Sequence, residues 1–431
     1  MSDETATGTA SPRFGMLGSL PLRHKLGLLG LLLLALLPVG NLVGISSVTL
    51  VGGLTVPLTV DALTLLKLSG ALYFAMFAMS WDTVSGYTGQ ISFGHGLFFA
   101  IGGYTSALLN LGHGVDPILA VPVGVVFAAA AGIIVGVPAL RLQGPYLSLV
   151  TLVAPLILLQ IFIYKSEIFG GELGLSSPDN IFGFGLQDAV AVYYVAFGLF
   201  VAILAVLLAV TRSDAGMVLT GIREDEDAIA ASGINPAKFK TFAFVLSAAV
   251  GGLAGAMLVH TPVGNPQPSQ LLSVTVNIEV IIAAILGGMG TIVGAAIGGL
   301  FIVLFRDALT SELSVPILQF DPGNFAFRVG SFNVSEVMVP VLNARIGDMS
   351  FLIFAVVTLV LLFVLPGGIV RWAIVMGRRA HARLRARFGD GVAADGGRDT
   401  DEALRGTAPS ETRSPVESVI ENYREFFRRE K

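Results

Sequence analysis

The sequence predicts an all-α polytopic membrane protein with about ten transmembrane helices, some of them broken or glycine-kinked. Three observations predict it. Of 431 residues, 54% are hydrophobic and 13% charged, against about 25% charged in a soluble domain. Mean hydropathy is +0.80, and apolar blocks of about 20 residues, the length that crosses a bilayer, recur along the chain. Charge is also concentrated: Arg212 to Lys240 carries nine charged residues in 29, whereas Leu26 to Thr211 carries ten in 186. An acid at the centre of a membrane helix costs roughly 3 kcal/mol, so the run Glu224 to Asp227 belongs in water. Residues 211–240 therefore read as a water-facing, mostly helical segment between two apolar blocks.

Taken in order, residues 1–25 form a polar, disordered tail. Arg23, His24 and Lys25 before the first span (Leu26–Val43) place the N-terminus in the cytoplasm. The second span covers Leu63–Met79, with Lys67 near its outer end, able to snorkel. Trp81–Leu109 follows, with glycines at 86, 89, 94, 96, 102 and 103 and polar Thr88, Gln90, Ser92 and His95. Glycines in membrane helices allow close backbone approach, and helix breaks are tolerated only against protein or a watery cavity. The segment is thus either a tight helix interface or a kinked, path-lining element. The third span ends near Leu111; the fourth covers Ile118–Leu140, the fifth Gly144–Tyr164 and the sixth Ala189–Val210.

In the charged segment, Gly233 ends one helix and Asn235-Pro236 starts the next, as glycine after a helix and proline in its first turn favour. The seventh span is Thr241–His260, and 261–270 is too rich in Pro and Gly to be helical. The eighth, Val274–Leu286, runs into a glycine-rich stretch (287, 288, 290, 294, 298, 299), and the ninth ends by Phe305. Residues 306–349 read as a long outer loop, with a hairpin in 325–341. The tenth span is Phe351–Leu365. An arginine cluster from Arg371 to Arg387 then pins the C-terminus inside and can touch anionic membrane lipid. Residues 389–413 are disordered, and a short helix starts at Ser414. The membrane body is 26–368, the remainder 369–431. Ten spans with both ends inside put Arg141, residues 211–240 and the arginine cluster on one side of the cell membrane, and the acidic loops on the other.

No catalytic chemistry is written in the chain. There is no cysteine, no HExxH pair, no GxSxG elbow and no phosphate loop, since none of the six lysines follows a glycine. No metal site or cofactor is implied, and a net charge of −4 gives no reason to expect nucleic acid. A transporter, channel or scaffold remains. Glu279 is the one good intramembrane ionisable candidate, either an interfacial carboxylate near the outer end, paired with Asn277 or water, or a path-facing group or a pair with another subunit; Asp82 is expected at an interface. The helix ending at Gly233 has a small-residue face (Ala228, Ala231, Ser232) that would seat in a groove on a soluble partner, beside acids able to pair with basic groups. The alternative is an ordinary solvated loop.

Three stretches, GYTGQISFGHGLFFAIGGYTSALL (86–109), GIREDEDAIAASGINPAKFKTFAFVLSAAVGGLAGA (221–256) and NIEVIIAAILGGMGTIVGAAIGG (277–299), resemble the LivM-type permease subunits of branched-chain amino acid ABC transporters. The resemblance covers about Leu26 to Gly368. It implies an importer subunit without enzymatic activity, working with ABC ATPase subunits, a second permease and an extracytoplasmic substrate-binding protein. Permeases of this superclass touch the ATPase through a loop of pattern EAA, three residues, Gly. Asp227, Ala228, Ile229 and Gly233 occupy those places, beside Glu226, and the distal Ile-x-Leu-Pro part is missing. Path residues implied on the glycine segments are Gly86, Tyr87, Gly89, Ser92, Gly94, His95, Gly287, Gly288 and Gly290, with Glu279. Urea and short-amide permeases share these motifs. Readings of another class are a secondary carrier using Glu279 and a scaffold acting through residues 389–431.

Overall fold

Short polar residues placed before apolar runs start the helices. Asp61 accepts from the amides of Leu63 (3.1 Å) and Thr64 (3.4 Å). Asp116 accepts from Ile118 (2.8 Å) and Asn235 from Ala237 (3.0 Å), each ahead of a proline at the first helical position. Such caps contribute about 1 kcal/mol each. The computed structural model describes residues 22–43, 47–49, 55–57, 59–140, 145–176, 178–310, 328–329, 332–333, 350–364, 368–369 and 376. Its helices are α1 (Leu22–Leu36), α2 (Val39–Val43), α3 (Ala62–Thr88), α4 (Gly96–His113), α5 (Pro117–Ala139), α6 (Pro145–Tyr164), α7 (Ser166–Phe169), α8 (Ala189–Thr211), α9 (Asp214–Glu224), α10 (Glu226–Ala231), α11 (Pro236–Val259), α12 (Pro268–Leu272), α13 (Val274–Gly288), α14 (Ile292–Thr310) and α15 (Ser350–Val364). Strands β1 (Ser47–Thr49) and β2 (Thr55–Pro57) pair antiparallel, as do β3 (Arg328–Val329) and β4 (Phe332–Asn333). Contacts divide the chain into Met1–Val375 and Met376–Lys431; of the second unit only Met376 is described.

Among the described residues, six helices are long and apolar enough to cross a membrane: Ala62–Thr88, Pro117–Pro138, Tyr146–Tyr164, Leu186–Thr211, Pro236–Val259 and Pro268–Gly288. α3 is the central one and packs on α8, α11, α13 and α14. It buries Leu72, Tyr73, Met76, Phe77 and Trp81. α4, α5 and α11 pack on one another beside it. Lipid offers no hydrophobic drive for helix pairing, so close packing through small residues does the work. A Cβ at Gly102 would collide with the Gly252 carbonyl, one at Gly255 with the Phe99 carbonyl, and one at Gly124 with the Gly102 carbonyl. The α13–α14 crossing uses Gly287, Gly294 and Gly298 in the same way, and Gly299 sets α14 against Ala75 of α3.

Several boundaries differ from the sequence expectation. The first apolar run is interrupted at residues 37–38, where Pro38 falls between α1 and α2. α3 continues nine residues past Met79 to Thr88, because its polar end is buried among other helices rather than in lipid. Residues 268–270, at the end of the stretch expected to be non-helical, fall in α12 (Pro268–Leu272), with Pro268 in its first turn, where a missing N–H does no harm. α14 extends to Thr310, so Arg306 and Asp307 are helical instead of opening an outer loop. Their charges are held by Glu279 and Lys67 (both 2.8 Å). The β3–β4 pair lies inside the expected hairpin region. Arg141, the tail 1–20, most of 311–349, the arginine cluster and the helix from Ser414 lie outside the described residues.

The glycine seam gives a direct test. Gly255→Ala forces the new Cβ onto the Phe99 carbonyl, and overpacking of this kind costs about 1–3 kcal/mol. A lower thermal unfolding midpoint in detergent is expected. Gly198→Ala in α8 meets nothing within 4 Å and leaves the midpoint unchanged or slightly raised.

Candidate functional site

The break between α3 and α4 frees backbone groups from their helical partners, and side chains of neighbouring helices take them up. α3 stops at Gly89, whose φ of +73° is a left-handed conformation that favours glycine. Side chains then serve the freed backbone through residues 90–96. Trp81 Nε1 donates to the Ser92 carbonyl (2.7 Å) and Ser148 Oγ to the Ile91 carbonyl (2.7 Å). The amides of Ser92, Phe93 and Gly96 donate to Ser85 Oγ (3.2 Å), Thr151 Oγ1 (3.1 Å) and Asn277 Oδ1 (2.8 Å). These partners come from α3, α6 and α13. Gly94 lies directly against the Thr151 carbonyl. His95 is buried and bridges Ser92 Oγ (3.1 Å) and Ser247 Oγ (2.5 Å). Ser247 in turn donates to the Ser80 carbonyl (2.6 Å). For a neutral ring this order puts the proton on Nε2, because the Ser247 hydroxyl hydrogen is already used.

The charged segment is two short helices stacked on the bundle. α9 packs on α3, α8 and α11, and α10 packs on α9 and α11. Asp225 caps α10 by accepting from the Ala228 amide (2.9 Å). Ile229 fills the space that Gly221 leaves on α9. Lys240, whose side chain is 7% exposed, pairs with Glu226 at 2.6 Å and ties α10 to α11. Asp227, Ala228, Ala231, Ser232 and Gly233 are exposed, so the small-residue face is open.

One side chain joins the two regions. Arg223, at the end of α9, donates to the Gly86 carbonyl of α3 (2.7 Å). Its side chain runs past Gly89 and Gly290. Beside it Asp82, expected at an interface, is wholly buried in the bundle. Its Oδ1 accepts from the Gly290 amide (2.7 Å), and its Oδ2 has no hydrogen bond. The Gly290 amide is what permits this burial: it replaces the water that an interfacial carboxylate would have used.

The proposed path residues therefore separate. Gly86, Gly89 and Gly290 meet around Arg223, while Ser92, Gly94 and His95 belong to the helix break; Tyr87 is half-buried between. Gly287 packs against Gly294, and Gly288 is half-buried next to it. Glu279 sits elsewhere, near the other end of α13. It accepts two hydrogen bonds from Arg306 Nη1 (2.8 and 3.0 Å), and its side chain is 4% exposed. Asn277 does not pair with it; Asn277 serves the Gly96 amide and the Ser273 carbonyl instead. Arg223, Ser247 and Arg306 were not legible as site residues, since their partners lie 137, 152 and 27 positions away.

Helices of this length and polarity define a multi-pass membrane protein. Residues 63–321 match the family described as branched-chain amino acid transport system / permease component, and the chain belongs to that family. It is 31% identical over 276 residues to the high-affinity branched-chain amino acid transport system permease protein LivM of Escherichia coli, covering 58% of this chain and 63% of that protein. The chain thus spans less than two thirds of that relative's length. LivH of Salmonella typhimurium is 28% identical over 259 residues (55% of this chain, 82% of that protein). A probable LivM of Methanocaldococcus jannaschii is 24% identical over 348 residues (73% and 94%). No solved structure matches the chain.

The Glu279–Arg306 pair generates a stability prediction. Breaking a fully buried pair costs about 3–5 kcal/mol because one charge is stranded. Arg306 is 45% exposed, so Arg306→Gln should cost less than that. It should still lower the thermal midpoint more than the double variant Glu279→Gln/Arg306→Gln, in which no charge is stranded.

Proposed function

We propose that the chain is the permease subunit of an ATP-driven ABC importer. It translocates branched-chain or related amino acids delivered by an extracytoplasmic binding protein. The observation that carries this reading is the exposed helix α10, clamped to α9 by Ile229 and to α11 by the Glu226–Lys240 pair. A partner gripping its open face would move those two helices with it. The family and the names of its relatives support the transport class and the solute.

The proposed topology has ten spans with both termini cytoplasmic. α3 ends, and α9, α11 and α14 begin, on the same cytoplasmic end of the bundle. ATP hydrolysis belongs to separate ABC ATPase subunits, and a second permease completes the path. Closure of the ATPases on nucleotide would rock the bundle between outward- and inward-open states, each shifted only by differential affinity for the two. The same motifs would serve urea or short amides, and the solute choice belongs to the binding protein. A secondary carrier centred on Glu279 is the poorer reading, because that carboxylate is already committed to Arg306.

The test replaces Ala228 and Gly233 with bulky residues. In vesicles carrying the assembled complex, ATP-dependent uptake of labelled leucine is expected to fall at least tenfold while the ATPase subunits still co-purify. Uptake at the wild-type level would refute the coupling role of α10. Uptake that survives ATP depletion but stops with an uncoupler would refute the importer reading.

A further inference from the structure

We propose that Arg223 is a positioning residue that carries movement of the coupling segment into the membrane helices, by exchanging its guanidinium between the Gly86 carbonyl and the Asp82 carboxylate. The inference rests on the importer reading above. Arg223, exposed as a residue, lays its guanidinium in a slot lined by glycines. A Cβ at Gly290 would meet Arg223 Nη1 at 2.6 Å, and one at Gly89 would touch Arg223 Cγ at 3.4 Å. A Cβ at Gly86 would collide with the Asp82 carboxylate and the Gly290 amide. The slot is therefore walled by α3, the helix break and the turn before α14.

Asp82 closes the inner end of this slot. It is 0% exposed, one carboxylate oxygen is held by the Gly290 amide, and the other has no hydrogen bond. A buried acceptor without a donor is a standing cost. Any arrangement that brings a guanidinium donor to it is stabilised by that amount and by charge-assisted hydrogen bonding. Asp82 and Gly86 are four residues apart on α3, so they stack on one face. The Asp82 carboxylate reaches the level of Gly86, where it and the Gly290 amide fill the space of the missing side chain. A small shift of α9 along α3 would therefore move the Arg223 guanidinium from carbonyl to carboxylate, and because both acceptors are polar the guanidinium has two resting places. In the second, Asp82 is free to release the Gly290 amide, which loosens α14 from α3.

The test uses the complete complex in vesicles and reads labelled leucine taken up per ATP hydrolysed. Arg223→Gln keeps an amide donor for Gly86 and loses the charge. It should lower the ratio at least tenfold with subunit assembly intact. Arg223→Lys keeps the charge and should stay within about threefold of wild type. Asp82→Asn should fall with Arg223→Gln, and the double variant should be no worse than the poorer single, since both remove one exchange. A wild-type ratio in Arg223→Gln or Asp82→Asn overturns the proposal, as does equal impairment of the Lys and Gln variants or multiplication of the two losses. If Arg223→Gln fails to assemble, Asp82→Asn with Arg223→Lys decides by the same criteria. A wild-type complex that shows no ATP-driven leucine uptake refutes the importer reading itself and this inference with it. Wild-type uptake with unaffected variants refutes this inference alone.

Discussion

A helix break packed among other helices leaves amides and carbonyls without their helical partners, several of them out of reach of water. Each one left unpaired there costs several kcal/mol. The chain meets this demand with side chains borrowed from other helices: Thr151 and Ser148 from α6, Asn277 from α13, Trp81 and Ser85 from α3 itself. His95 adds Ser247 of α11 to the set. The consequence is positional. With its break tied to three neighbours, the end of α3 is held in a fixed register against the turn before α14, and that register creates the place where Arg223 lies.

Glycine performs two different jobs in this bundle. In the α4–α5–α11 seam it removes side-chain bulk so that backbones touch, and the result is a stiff unit. Around Arg223 it leaves a gap that a long cationic side chain fills without fixing itself to a matching side chain. The far end of α3 shows the opposite design. There Lys67 meets Asp307, and Glu279 meets Arg306, so α3, α13 and α14 are laced by ion pairs. One end of the central helix is thus latched, while the other holds a carboxylate oxygen without a donor.

Local chemistry was legible in the sequence and long-range pairing was not. Asn235-Pro236 and Gly233 announced their helix ends because a cap or a terminating glycine acts within a few residues. The water-facing segment announced itself by charge alone. Arg306 and Asp307 misled for the same reason: charges usually mean water, and only the fold brings Glu279 and Lys67 to them. Asp82 was placed at an interface by that same rule, yet a backbone amide 208 positions away takes the role of solvent. The glycine segments were ambiguous between packing and path because both uses require the same residue. The distinction lies in what approaches the missing side chain: a backbone carbonyl at Gly255, an arginine at Gly290.

These contacts also constrain how motion can leave α10. That helix packs on α9 and α11, so a pull on it divides. Through Lys240 it acts on α11, which belongs to the glycine-tight unit with α4 and α5. Through Ile229 and Gly221 it acts on α9, and α9 reaches α3 by Arg223. Apolar surfaces sliding on one another transmit little directional force, because dispersion contacts at one register are close in energy to those at the next. Hydrogen-bonded and ionic contacts do discriminate between registers. In the proposed importer, the polar links at Lys240 and Arg223 would be the points where a single push on α10 becomes two different displacements, one of α11 and one of α3.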